Sequence, residues 1–198
     1  MTTRVERAGC IGVLLLALAA GPARAGEVFF SHASIARALS FAQMTNEGRW
    51  FLQGASVDDC SYALLQDPRV DADGDRLRIT LLFAGRGGVR IAGRCVGPGD
   101  SFDVSIAGVP GFSRGELVLS DMRLEAPDRP YFRVVRPLLE RTLRDRLRFP
   151  FRSAAEGALR ELSQQTGGQI GLAALEIMSI AVESKGVRLR LDLELDVN

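Results

Sequence analysis

The chain has 198 residues, is 46% hydrophobic and is nearly neutral, with 25 Lys and Arg against 24 Asp and Glu. That size and apolar fraction suit one globular domain, and the charge balance lacks the basic excess on which nucleic-acid binding depends. With three cysteines and one histidine, the chain offers too few ligands for an ordinary zinc centre.

The first 25 residues read as a secretory signal peptide. Arg4 and Arg7 precede the apolar run Ile11 to Ala20, and Ala23-Arg24-Ala25 gives an A-x-A cleavage pattern before Gly26. The apolar run is too short to span a bilayer. Cys10 lies before that run, where no lipid-attachment cysteine would lie. The sequence therefore predicts a mature domain over residues 26–198, exported most simply to a bacterial periplasm. Losing Arg4, Arg7, Arg24 and Glu6 leaves 22 basic and 23 acidic residues. Cys60 and Cys95 remain, and an even pair in an oxidising compartment reads as a disulfide.

Residues 26–39 read as an extended segment. Ser40 and Gln43 fit a capping box, so a short N-terminal helix is expected from Phe41 toward Leu52. Strand signals follow. Cys60, Tyr62 and Leu64 alternate until Asp67-Pro68. Leu77, Ile79, Leu81 and Phe83 alternate with Arg76, Arg78 and Thr80. Val89, Ile91 and Cys95 come next, then Phe102, Val104 and Ile106, then the run from Gly115 to Leu124. Turn residues separate these runs regularly, which predicts an antiparallel meander.

At Tyr131 the period changes. Apolar residues at 131, 134, 135, 138, 139, 143 and 147 approach helical spacing, with Pro137 suited to a first helical turn. Arg133, Arg141, Arg144 and Arg148 collect on the opposite side. Arg146 is out of place and projects into the apolar stripe. Phe149-Pro150-Phe151 interrupts, and an alanine-rich amphipathic segment runs to the turn at Gln165-Thr-Gly-Gly168. A strand over residues 172–183 and a turn at Ser184-Lys-Gly186 lead to the last stretch, Val187 to Val197. There aliphatic and charged residues alternate without a break, giving one dry face and one wet face.

Chemical motifs are sparse. Asp71-Ala-Asp-Gly-Asp75 has its glycine one carboxylate too early for a calcium loop and lacks the closing Glu; it reads as a hairpin turn. Gly85-Arg-Gly-Gly88 feeds a strand, whereas phosphate loops feed a helix. His32 stands alone, and no G-x-S-x-G elbow or convergent nucleophile and base is present. The sequence therefore predicts no enzyme, no cofactor and no metal. The arginine side of the helix could touch anionic headgroups, although a solvated face of a helix packed on the sheet is the preferred explanation.

The order of elements, with Leu39-Ser-Phe-Ala-Gln43, Leu65-Gln-Asp-Pro-Arg-Val70, Gly74-Asp-Arg-Leu77, Gly115-Glu-Leu-Val-Leu119 and Ile177 to Leu195, resembles the tubular lipid-binding (TULIP) superfamily in its small single-domain bacterial form. That resemblance implies an α+β fold in which a long, highly curved antiparallel sheet wraps around a long amphipathic C-terminal helix. It also implies a lipid groove between the two, with no catalytic residues. The expected wall comprises Leu77, Ile79, Leu81 and Phe83 from the meander, Leu138, Leu139 and Leu143 from the helix, and Leu189, Leu191 and Leu193 from the last strand. The expected function is a periplasmic binding or carrier protein for a lipid or other apolar ligand, with membrane contact through Arg133, Arg141, Arg144 and Arg148. The alternative is a non-catalytic envelope scaffold or assembly accessory protein with a closed core.

Overall fold

A computed structural model describes residues 24–166 and 170–197. Residues 1–23 of the expected signal peptide 1–25 and Gly167-Gly168 of the expected turn lie outside them, while Arg24 and Ala25 fall within the first strand. Along the chain run β1 (Arg24–Ser31), α1 (His32–Gln43), β2 (Arg49–Gln53), β3 (Tyr62–Asp73), β4 (Arg76–Arg86), β5 (Val89–Ile91) and β6 (Arg94–Val96). Then follow β7 (Gly99–Ser113), β8 (Glu116–Glu125), α2 (Pro130–Arg146), β9 (Arg148–Phe149), α3 (Phe151–Thr166), β10 (Ile170–Glu183) and β11 (Gly186–Val197). All strand pairing is antiparallel.

The strands form a curled six-stranded sheet, β2-β3-β4-β7-β8-β9, and a three-stranded sheet, β1-β11-β10. A separate hairpin joins β5 to β6. Curling follows from register shifts, since bulges bend a strand and increase its twist. One lies between Gln66 and Arg69, where Asp67 takes a left-handed φ of 53°. Pro68 therefore does not end the strand as the sequence suggests; the bulge absorbs the residue that cannot donate to the ladder. A second shift lies between Ala107 and Val109. There a Cβ on Gly108 would stand 3.0 Å from the Ser120 carbonyl oxygen, so the close approach favours glycine.

The helices correct the expected architecture. Among the described residues there is no long C-terminal helix: α2 has 17 residues, α3 has 16, and the β10–β11 hairpin follows them. The break falls at Arg148 and Phe149, which leave the helix to pair with Val118 and Leu117 of β8. Pro150 then removes a backbone donor just before α3. Pro130 occupies the first turn of α2, while Pro137, expected to start the helix, lies inside it. The N-terminal helix also begins earlier than expected. Ser31, not Ser40, is its cap, with the Ser34 N–H donating to Ser31 Oγ at 3.1 Å. Ser40 instead donates back to the Ala36 carbonyl at 3.1 Å. Glu47 and Gly48 have positive φ, so the segment expected to complete the helix turns into β2.

Two apolar clusters result. Leu81, Phe83, Phe102, Val104, Phe132, Leu139 and Leu143 pack the inside of the curled sheet against α2. Leu77, Phe151, Val187, Leu189 and Leu191 form a second cluster on the dry side of the three-stranded sheet. Val70 and Leu119 touch both. Each fully buried aliphatic or aromatic side chain contributes about 1.5–3 kcal/mol, so the larger cluster dominates stability.

On the wet face of the small sheet, Arg190 Nη2 donates to Glu27 Oε1 at 2.9 Å and Arg188 Nε donates to Glu183 Oε1 at 2.6 Å. These bonds hold both carboxyl groups below their ordinary value of 4.5. A depressed folded value stabilises the fold above 4.5, and that contribution is lost as pH falls through the lowered value. Amide-exchange protection in β1 and β11 is therefore expected to weaken in acid below pH 4.5. Glu27→Gln should flatten that dependence; an unchanged acid profile in the variant would contradict the pairing. The effect is small, because exposed pairs are screened by solvent.

Candidate functional site: an apolar crevice beneath the first helix

The two clusters do not meet flush. Between them opens a crevice of about 170 Å³, partly open to solvent. Helix α1 contributes Ile35, Ala38, Leu39 and Ala42; β4 contributes Leu77 and Ile79. Leu117 and Leu119 come from β8, Val187 and Leu189 from β11, and Ile180 from β10. Leu147 and Phe149 add apolar lining at the α2–α3 junction, and Phe30, Pro110 and Val118 also line the space. The polar lining side chains are Ser34, Gln43, Arg146 and Arg148.

Local sequence explains why α1 contributes most. Ile35, Ala38, Leu39 and Ala42 sit at i, i+3, i+4 and i+7, the spacing of one helical face. A stripe of that kind ordinarily buries itself. Here no residue of α1 is fully buried, because its stripe faces the crevice. Gln43 Nε2 donates to the Arg146 carbonyl at 3.3 Å and ties the end of α1 to the end of α2. Further out, Phe41 is 87% exposed.

The sequence-predicted wall is divided by the structure. Leu77, Ile79 and Leu189 line the crevice. Leu81, Phe83, Leu139 and Leu143 lie fully buried in the larger cluster, and Leu138 packs partly buried against it. Leu191 is buried in the smaller cluster and Leu193 packs against that cluster. Leu81, Phe83, Leu138, Leu139 and Leu143 are off the crevice because α2 packs directly against the inside of the curled sheet, and Leu191 and Leu193 because they lie further along the dry side of the three-stranded sheet. The crevice lies instead at the seam between the two sheets. Sequence reasoning placed the N-terminal helix too late, from Phe41, and so missed the stripe of α1, although the Ile35, Ala38, Leu39, Ala42 spacing was a signal for it.

The volume sets the chemistry. Drug-sized ligand sites run roughly 300–1,000 Å³, whereas an apolar cavity of about 150 Å³ accepts one benzene ring. The crevice therefore encloses one ring or about six carbons of a chain, the rest passing out through its opening. The lining is mostly aliphatic and aromatic, which suits apolar matter.

The arginine side of α2 is less free than its spacing suggests. Arg133 makes three hydrogen bonds to the Asp128 carboxylate at 2.8–3.1 Å, and Arg148 lies 3.5 Å from Glu116. Arg141 and Arg144 are exposed and have no ion pair among the described residues. Cys60 and Cys95 are joined in a disulfide, which suits an oxidising, exported environment. No protein-family model matches the chain, and no curated protein matches it.

Proposed function

We propose that this chain is an exported, non-catalytic binding protein, working in the periplasm, that holds a lipid or other apolar ligand by one end in the crevice beneath α1. One observation carries the reading: α1 has an apolar stripe at helical spacing and buries none of it completely. A helix that only covered a core would bury that face. About six enclosed methylenes, at roughly 0.8 kcal/mol each, give enough driving force for a weak, reversible complex. The TULIP resemblance supports the same class of ligand, with the site moved from the helix–sheet interior to the seam. Peripheral membrane contact would draw on Arg141 and Arg144, since Arg133 and Arg148 already face carboxylates.

The small volume favours one competing reading, an envelope scaffold whose seam is closed in solution. A titration with 1-octanol separates the two. Ala38 is exposed and lines the crevice, so Ala38→Trp places an indole across the space without disturbing either cluster. Octanol binding is expected to weaken about tenfold in the variant, equivalent to roughly 1.4 kcal/mol, with the melting temperature nearly unchanged. Failure of octanol to bind the parent protein would favour the scaffold.

A further inference from the structure

Arg146 has no place in the pattern of its own helix, projecting into the apolar stripe instead of joining the arginines opposite. The structure gives it a location. The Leu147 N–H donates to the Leu143 carbonyl at 2.9 Å and closes α2, and Leu147 is buried. Arg146 is thereby carried to the crevice, where it lies among the lining residues while remaining exposed. Its backbone is tied to α1 by the Gln43 hydrogen bond.

Of the nearby arginines, Arg141 and Arg144 are also without an ion pair among the described residues, but neither lines the crevice, and others are occupied. Arg136 pairs with Glu140 at 2.7 Å, Arg152 with Glu156 at 3.0 Å and Arg148 with Glu116 at 3.5 Å. Arg146 has no carboxylate partner among the described residues. An unpaired guanidinium beside an apolar space presents a planar donor fork suited to a carboxylate or phosphate. Ser34, which supplies the hydroxyl of the lining, is already engaged with Ser31 Oγ at 2.8 Å.

We infer that the crevice selects a single-chain anionic amphiphile, with its alkyl end against the α1 stripe and its carboxylate or phosphate head on Arg146 at the rim. The inference rests on the crevice being a binding site, as proposed above, and adds the charge and chain number of the ligand. One chain follows from the volume, which takes about one benzene ring's worth of apolar matter. An anionic head follows from Arg146, because a cationic head would be repelled and a neutral head would leave the fork unused. Glu116 does not cancel the site, since Arg148 faces it.

The test titrates octanoate and 1-octanol into the full-length protein at neutral pH and low salt. The two probes share their chain length and differ in head charge. Octanoate is expected to bind about fivefold more tightly, the size of one exposed charge-assisted contact. In Arg146→Gln that preference should vanish, with octanoate losing more affinity than octanol. Arg146→Lys should restore part of it, and salt should erode it in the parent protein. Octanol binding as tightly as octanoate, or a preference that survives Arg146→Gln, would overturn the head-group assignment and leave the crevice reading standing. Absence of binding by both probes would overturn both.

Discussion

Leu139→Ala is expected to destabilise the protein by about 3–4 kcal/mol while changing octanol affinity less than twofold. Leu139 is 0% exposed and sits in the middle of the buried row Phe132, Val135, Leu139 and Leu143. That row fills the inside of the curled sheet, against Leu81, Phe83 and Val104. Truncation removes apolar contact and leaves a void that neighbours on a strand-paired sheet can close only in part. The crevice does not involve Leu139, so affinity should not follow stability. Urea denaturation and an octanol titration on the same preparation check both halves. A large loss of affinity with stability preserved would return the ligand to the interface between α2 and the sheet, where the sequence first placed it.

The second large effect concerns the disulfide. Replacing Cys60 and Cys95 with serine is expected to cost about 3–4 kcal/mol. The bridge spans 35 positions, and the loop it closes contains β3 and β4, the centre of the larger sheet. Opening it frees that whole segment in the unfolded chain. The folded state also loses a tether. Val89, Ile91 and Val96 of the β5–β6 hairpin are all more than half exposed, so burial does little to hold the hairpin down. What remains is the close backbone approach at Gly97, where any Cβ would overlap the Gly87 carbonyl. Denaturation midpoints of the oxidised protein and the double serine variant give the difference directly. Equal midpoints would mean that the bridge constrains only the hairpin.

Strand periodicity was the most legible layer. The alternation in Val187 to Val197 correctly assigns β11, and Leu189 and Leu191 are buried as its dry face requires. Leu77, Ile79, Leu81 and Phe83 are likewise all buried along β4. Alternation says which face is dry but not what lies against it. Pairing between β1 and β11 joins residues as far apart as Glu27 and Arg190, 163 positions, so local pattern could not split the strands into two sheets. The seam between those sheets, and hence the crevice, was invisible for the same reason.

Helix α1 was illegible for a different reason. Its cap is Ser31 with a second serine at Ser34, and no Glu or Gln completes a capping box there. Ser40 and Gln43 offered the stronger signature nine residues later, but Gly48 and the turn at Glu47 give that stretch no room for a helix. Alanine at two of the four stripe positions also weakens the apolar signal. The residues most informative for function were thus the least conspicuous. Arg146 is the reverse: its mismatch with the helix pattern was plain, and only the three-dimensional seam gives it a use.

Native mass spectrometry of the protein purified from a host with an intact envelope tests the central claim most directly. The parent protein should carry a single-chain adduct, and Ala38→Trp prepared in parallel should not. A clean unliganded mass for the parent protein, or an adduct retained equally by the variant, would contradict a ligand site beneath α1.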